Sequence, residues 1–156
     1  MSSRPRRSAG LLLFRRTDAG LEVLLGHMGG PFFARRDAGA WTVPKGEYGP
    51  DEAPWEAARR EFREELGLPP PEGDALALGE VRQSGGKVVT AWAVEGDLDP
   101  AAAVPGTFTM EWPPRSGRLA EFPELDRVRW FGLEAAREVV VAAQAAFLDR
   151  LAEHSG

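Results

Sequence analysis

The sequence predicts an α/β sandwich, or an α+β relative of one, from three features. Short apolar runs bounded by Gly- and Pro-rich turns recur along the chain as strands do. A charged stretch with helical spacing, Asp51 to Leu66, interrupts them, and a second helical region closes the chain from Leu133 to about Ala152, broken near Val141. Strands mixed with two helical regions stack in layers around one core. The 156 residues are enough for a single domain, 1–156, with residues 1–7 expected as a flexible tail.

In chain order, Ser8–Arg15 and Leu21–His27 read as strands joined by a turn, because Asp18 and Gly20 favour tight reversals. The following "MGGPFFARRDAGA" is a loop carrying aromatics and arginines. "WTVP" is a short strand that Pro44 must end, since proline cannot donate to a ladder. For the first helix, Asp51 is the expected N-cap and Pro54 falls in the first turn, while "GLPPP" stops it. "ALALGEVRQ" and "KVVTAWAVEG" form a hairpin about "SGG". After a connection, "TFTMEW" is a strand, "PPRSGRLAEFPELD" a long irregular loop, and "RVRWF" the last strand.

Composition excludes several functional classes. With 43% hydrophobic and 28% charged residues the chain has a globular make-up, not a disordered one. A net charge of −5 argues against a broad basic face for duplex nucleic acid. The absence of cysteine removes thiolate metal sites, disulfides and a Cys nucleophile, and fits a reducing compartment. The apolar run Leu11–Phe14 is too short for a signal-peptide core and nothing later could span a bilayer, so a cytoplasmic protein without a membrane partner is expected. The oligomeric state is left open, a homodimer included.

The segment Gly46–Leu68 holds seven carboxylates, and like charges one helical turn apart repel. On a helix, Trp55, Ala58, Phe62 and Leu66 line one apolar stripe, and Glu61, Glu64 and Glu65 gather on an adjoining strip at the rim of the sheet. Two explanations fit: a solvated face braced by Arg59, Arg60 and Arg63, or a site for a hard cation such as Mg²⁺ or Mn²⁺. The spacing favours the second. Gly46, five residues, Glu52, seven residues, Arg60-Glu61-Phe62, one residue, Glu64-Glu65, one residue, Gly67-Leu68 reproduces the Nudix box, with Phe62 where an aliphatic residue is usual. At average residue usage this coincidence arises on the order of once in 10⁹ starts. "GAWTVPKGE" before the box and "ELDRVRWFGLEA" after it are also typical, so the chain resembles a Nudix hydrolase over most of its length.

That resemblance implies an α/β/α sandwich in which a mixed sheet is flanked by the box helix and the C-terminal helices. It implies a metal-dependent pyrophosphohydrolase that cleaves a phosphoanhydride in a nucleoside diphosphate linked to a further group. Glu61, Glu64 and Glu65 would hold Mg²⁺ or Mn²⁺ with a backbone carbonyl near Lys45–Gly46, and Arg60 would orient Glu61. Glu52 would be structural, and Gly67 would end the helix in a left-handed conformation. The general base is Glu61 or Glu124, which stands six residues before Trp130 as a catalytic glutamate does in dinucleoside-polyphosphate members; Glu121 and Glu111 are weaker alternatives. Lys45, Lys87, Arg35 and Arg118 are candidates for phosphate contacts, and Trp41, with Phe33 and Trp92, for stacking on a base. The subgroup signatures for ADP-ribose and coenzyme A substrates are not matched, which tilts the substrate towards nucleoside triphosphates or dinucleoside polyphosphates. The alternative is a catalytically silent Nudix module that binds a nucleotide or protein partner as a regulator; retention of every box carboxylate argues for the enzyme.

Overall fold

In the computed structural model, which describes residues 5–155, nine strands and three α-helices build two layers of helix around a sheet. The strands are β1 (Arg7–Thr17), β2 (Gly20–Met28), β3 (Trp41–Thr42), β4 (Lys45–Glu47), β5 (Ala75–Arg82), β6 (Val88–Glu95), β7 (Thr107–Glu111), β8 (Leu119–Pro123) and β9 (Leu125–Gly132). The helices are α1 (Pro54–Leu66), α2 (Leu133–Val139) and α3 (Ala145–Ser155). Of the tail expected at 1–7, positions 1–4 lie outside the described residues, and Arg7 already opens β1.

The main sheet is mixed, ordered β3-β2-β1-β6-β5, with β4 on β1 and β9 on β2. β1 runs parallel to β6, and its other neighbours are antiparallel. Because side chains alternate across a strand, β1 serves two cores. Ala9, Leu11 and Leu13 meet Ala58, Phe62 and Leu66 of α1, whereas Leu12 and Phe14 join Trp41, Val43 and the Phe147, Leu148 and Leu151 stripe of α3. The α/β/α arrangement follows from that alternation.

The structure corrects three local expectations. Asp51 is not the N-cap: Ala53 takes that place with extended backbone (φ −68°, ψ 140°) and no side-chain cap bond. Proline disfavours helical backbone in the residue before it, so Pro54 fixes the start. The stretch expected as a long irregular loop contains β8, which pairs with β7 as a separate hairpin. Its tip is closed by the Glu111 carboxylate, which accepts from the Arg115 and Gly117 N–H groups. The strand in "WTVP" does end before Pro44, at Thr42, but a further strand that was not expected, β4, follows the proline and pairs with β1. The expected break near Val141 is present, and its cause is tertiary: the Val141 N–H donates to the Trp41 carbonyl at 2.8 Å.

Between the break and the sheet sits Gln144, fully buried. Its Oε1 accepts from the Val43 N–H at 2.9 Å, and its amide nitrogen donates to Thr42 Oγ1 at 3.0 Å and Gln83 Oε1 at 2.9 Å. Removing that side chain leaves a buried N–H unpaired, which costs about 1–3 kcal/mol. Gln144→Ala is therefore expected to lower the urea midpoint by an amount equivalent to about 2 kcal/mol. An unchanged midpoint with an unchanged m-value would show that the bridge contributes nothing net.

Candidate active site

The first turns of α1 contribute no acid to the site; its second half does. Ala57, Ala58, Phe62 and Leu66 are driven against the sheet by burial, which sets the rotation of the helix. That rotation leaves Glu61 at the buried edge (8% exposed), Glu65 half-buried and Glu64 exposed. All three line a cavity of about 510 Å³ together with Gly46, Lys45, Glu47, Lys87 and Glu124.

Gly46 is required here for space. A Cβ built on it would lie 2.0 Å from Glu61 Oε2 and 2.0 Å from its Cδ, so only a bare Cα lets β4 approach the carboxylate. At the other end of the helix, Gly67 adopts φ +65° and its N–H closes on the Arg63 carbonyl at 2.7 Å.

Arg60 holds the acidic segment together. Its Nε and Nη2 make a two-pronged pair with Glu52, each bond 2.8 Å. Its Nη1 donates to Glu61 Oε1 at 2.8 Å and to Glu64 Oε2 at 3.0 Å, and Nη2 also reaches the Glu47 carbonyl at 3.4 Å. The guanidinium holds the Glu52 carboxyl below the usual carboxylate range. It only partly offsets burial at Glu61, whose carboxyl is raised, with Glu64 and Glu124 adding to the effect.

Glu65 lacks such a partner. Among the described residues no cationic group lies within salt-bridge distance of it. Burial first, then the neighbouring charges of Glu124 and Glu61, push its carboxyl up to about 8 despite Lys45. Glu124 is raised by burial, with Lys45 opposing. Its backbone is pinned on both sides: the N–H donates to the Gly106 carbonyl at 2.8 Å and the carbonyl accepts from Gly29 at 3.0 Å. Across the cavity Lys45 is lowered by burial and then by Lys87, against the pull of Glu65, Glu47 and Glu61.

The donor set is suited to a hard cation. Carboxylates and a backbone carbonyl beside a bare Cα are oxygen ligands of the type Mg²⁺ and Mn²⁺ take, and Glu65 is held as a half-buried carboxyl among like charges. Among the described residues no three acidic or imidazole side chains already stand close enough to enclose an ion. Glu61 and Glu64 both lie on Arg60 Nη1.

Other residues singled out from the sequence fall elsewhere. Trp41 is fully buried, edge-on to His27 at 5.2 Å and Phe131 at 4.8 Å, so its ring is a core element with no face for a base. Phe33 and Trp92 also pack against the cores. Arg35 and Arg118 are exposed on the β2–β3 loop and the β7–β8 tip, outside the cavity wall. Glu111 caps that tip, and Glu121 faces solvent on β8; neither lines the cavity. His27, expected as a strand-end residue, is buried with Nδ1 2.7 Å from Asp126 and Nε2 2.6 Å from the Arg36 carbonyl. The cavity also contains Arg6, Ser8, Met28 and Thr42, which sequence reasoning missed. Their only signal is strand register, since Ser8 faces Glu47 across the β1–β4 ladder.

Similarity to known proteins agrees with this geometry. A family model described as the NUDIX domain matches residues 4–151. No curated protein matches the sequence. Similar solved structures include an Ap4A hydrolase of C. elegans, with 22% identity, a TM-score of 0.61, and coverage of 98% of this chain and 100% of that one. The NUDIX domain of Shewanella oneidensis NrtR, complexed with ADP ribose, has 16% identity, a TM-score of 0.65, and coverage of 99% and 91%. The C-terminal domain of mouse MUTYH, in complex with human PCNA, has 20% identity, a TM-score of 0.62, and coverage of 97% and 90%. At these identities the likeness is one of fold. The family match spans nearly the whole chain, and on that ground the protein belongs to the NUDIX domain family.

Proposed function

We propose that the chain is a Mg²⁺- or Mn²⁺-dependent pyrophosphohydrolase of nucleoside diphosphates linked to a further group, acting on nucleoside triphosphates or dinucleoside polyphosphates. One observation carries this reading: the carboxylates of Glu61, Glu64, Glu65 and Glu124 share a cavity with Lys45 and Lys87, so both acids and cations would face a phosphate chain placed there. A bound divalent cation supplies neutralisation of phosphate oxygens and a water of lowered pKa. Glu61, Glu64, Glu65 and the backbone at Gly46 are the groups to hold it.

The chain's own residues then do the rest. Lys45 and Lys87 attract the phosphates as point charges. Arg60, clamped by Glu52, holds Glu61 in one orientation. The attacking water's oxygen bonds to phosphorus, the bridging oxygen leaves with the other phosphoryl group, and the water's proton passes to a carboxylate. Glu124 suits the role of proton acceptor, because it borders the cavity and its backbone is fixed from both sides, while Arg60 leaves it unengaged. Glu61 is the competing candidate. A binding module without turnover is the second reading; the NrtR domain, which has the same fold, is seen in complex with ADP ribose.

A hydrolysis screen over nucleoside triphosphates, dinucleoside polyphosphates, nucleotide sugars and ADP-ribose separates the two. Turnover of at least one is expected, with Glu65→Gln reducing kcat by about 10³-fold while remaining folded. A wild-type chain that turns over none of them is a binding module.

Glu124→Gln should lower kcat by about 10²–10⁴-fold, the usual range for a lost general base, with KM little changed. A loss under about tenfold would move the role to Glu61.

Glu65 also gives a pH signature in the metal-free protein. Its folded carboxyl is raised from 4.5 to about 8, so its contribution to stability is full below the unfolded value and is lost as pH rises towards about 8. With EDTA present, Tm should fall across that window, and Glu65→Gln should flatten the fall. Mg²⁺ should raise the wild-type Tm more at about pH 9 than at about pH 6, because protons compete for the same carboxyl. A pH-independent Mg²⁺ effect, or one that persists in Glu65→Gln, would remove Glu65 from the ion's ligands.

A further inference from the structure

β4 sends its side chains to two sides of the sheet. Register pairs Ser8 with Glu47 and Gly10 with Lys45, so these positions share one face, while Gly46 turns its bare Cα to Glu61 on the other. On the Ser8 face, Arg6 Nε and Lys87 Nζ approach the same oxygen, Glu47 Oε1, at 3.4 Å and 4.0 Å. Both contacts are longer than a charge-assisted hydrogen bond, so Glu47 balances the two cations without locking either. Beside them Ser8 is fully buried, and its Oγ is the one buried side-chain polar atom among the described residues that has no hydrogen-bond partner. Buried hydroxyls are nearly always satisfied, and this one lines the same cavity as Arg6, Lys45, Glu47 and Lys87.

We propose that Ser8 Oγ, Lys87 and Arg6 form a second anion subsite for a phosphate lying beyond the cleaved diphosphate, and that Glu47 is the internal counter-ion this phosphate displaces. A hydroxyl donor flanked by an ammonium and a guanidinium matches a tetrahedral oxyanion in both charge and hydrogen bonding. The carboxylate of Glu47 presents a similar oxyanion to the same two cations and offsets their charge until substrate arrives. The proposal rests on the pyrophosphohydrolase reading and deepens it. It assigns the enzyme to substrates with three or more consecutive phosphates, because a substrate with only two leaves the subsite unused.

The test is calorimetric titration of the full chain with inorganic tripolyphosphate and with pyrophosphate, Mg²⁺ present in both. This readout needs no turnover, so a chain that fails the hydrolysis screen still reports on the subsite. Wild type is expected to bind tripolyphosphate about tenfold more tightly than pyrophosphate, and Ser8→Ala or Lys87→Gln should each remove most of that preference. Glu47→Gln, by removing the competitor, should tighten tripolyphosphate binding several-fold. Ser8→Ala deletes only a hydroxyl, and Lys87 sits just before β6, so Lys87→Gln gives the same reading if the buried variant misfolds. Equal affinity of wild type for the two probes overturns the proposal. So does an equal loss for both in the variants, or unchanged or weaker tripolyphosphate binding by Glu47→Gln.

Discussion

One guanidinium bears most of the organisation of this site. Arg60 spends two donors on Glu52, in the turn before α1, and shares a third between Glu61 and Glu64 on the helix. Arginine suits this place because its planar fork offers several donors in fixed directions, which an ammonium does not. The consequence is a division of labour among acids that look alike in the sequence. Glu52 is neutralised and structural. Glu61 is oriented, with its carboxylate wedged against Gly46. Glu65 and Glu124 are left to repel each other across the cavity.

That repulsion has a sign and a size. Five carboxylates, those of Glu47, Glu61, Glu64, Glu65 and Glu124, line the cavity against the three cationic side chains of Arg6, Lys45 and Lys87. With every carboxyl ionised, a state Glu65 reaches only above about pH 8, two negative charges remain in excess, the amount one divalent ion neutralises. A phosphate chain entering alone would meet net repulsion on the acid side and attraction only near the lysines. Charge complementarity therefore couples the two: the acids need a cation before they tolerate an anion, and the cationic side chains set where the anion's far end lies.

How much of this was legible depended on whether the information is local. The acids of α1, Arg60 and Gly46 are fixed by spacing within one segment, and helical periodicity places Glu61, Glu64 and Glu65 together before any tertiary contact is known. Glu124 came from a likeness to family members; its position beside the cavity depends on β8 and β9, and β8 was hidden because "LAEFP" is only five residues long and ends in a proline, which reads as a turn signal. Trp41 misled for the opposite reason. Its tryptophan identity is consistent with a stacking platform, but only the pairing of β3 with β2 and the packing of Phe131 reveal that the ring is enclosed. Ser8 and Arg6 carry no local signal at all, since a serine and an arginine at the start of a strand are ordinary until β4 is known to lie alongside.

β4 itself shows why the two halves of the site are inseparable. It is three residues long and pairs only with β1 among the described strands, yet it supplies Gly46 to the acids and Lys45 and Glu47 to the opposite face. Strand side chains alternate with a period of two, so a slip of one residue would exchange those roles at once. A side chain would then collide with Glu61, and a glycine would replace a charge beside Ser8. The register is protected from such a slip by Pro44 before the strand and by the Tyr48 N–H bond to the Arg7 carbonyl after it. The placement of Lys45 and Glu47 and the geometry of the acidic cluster are thus set by the same few backbone hydrogen bonds.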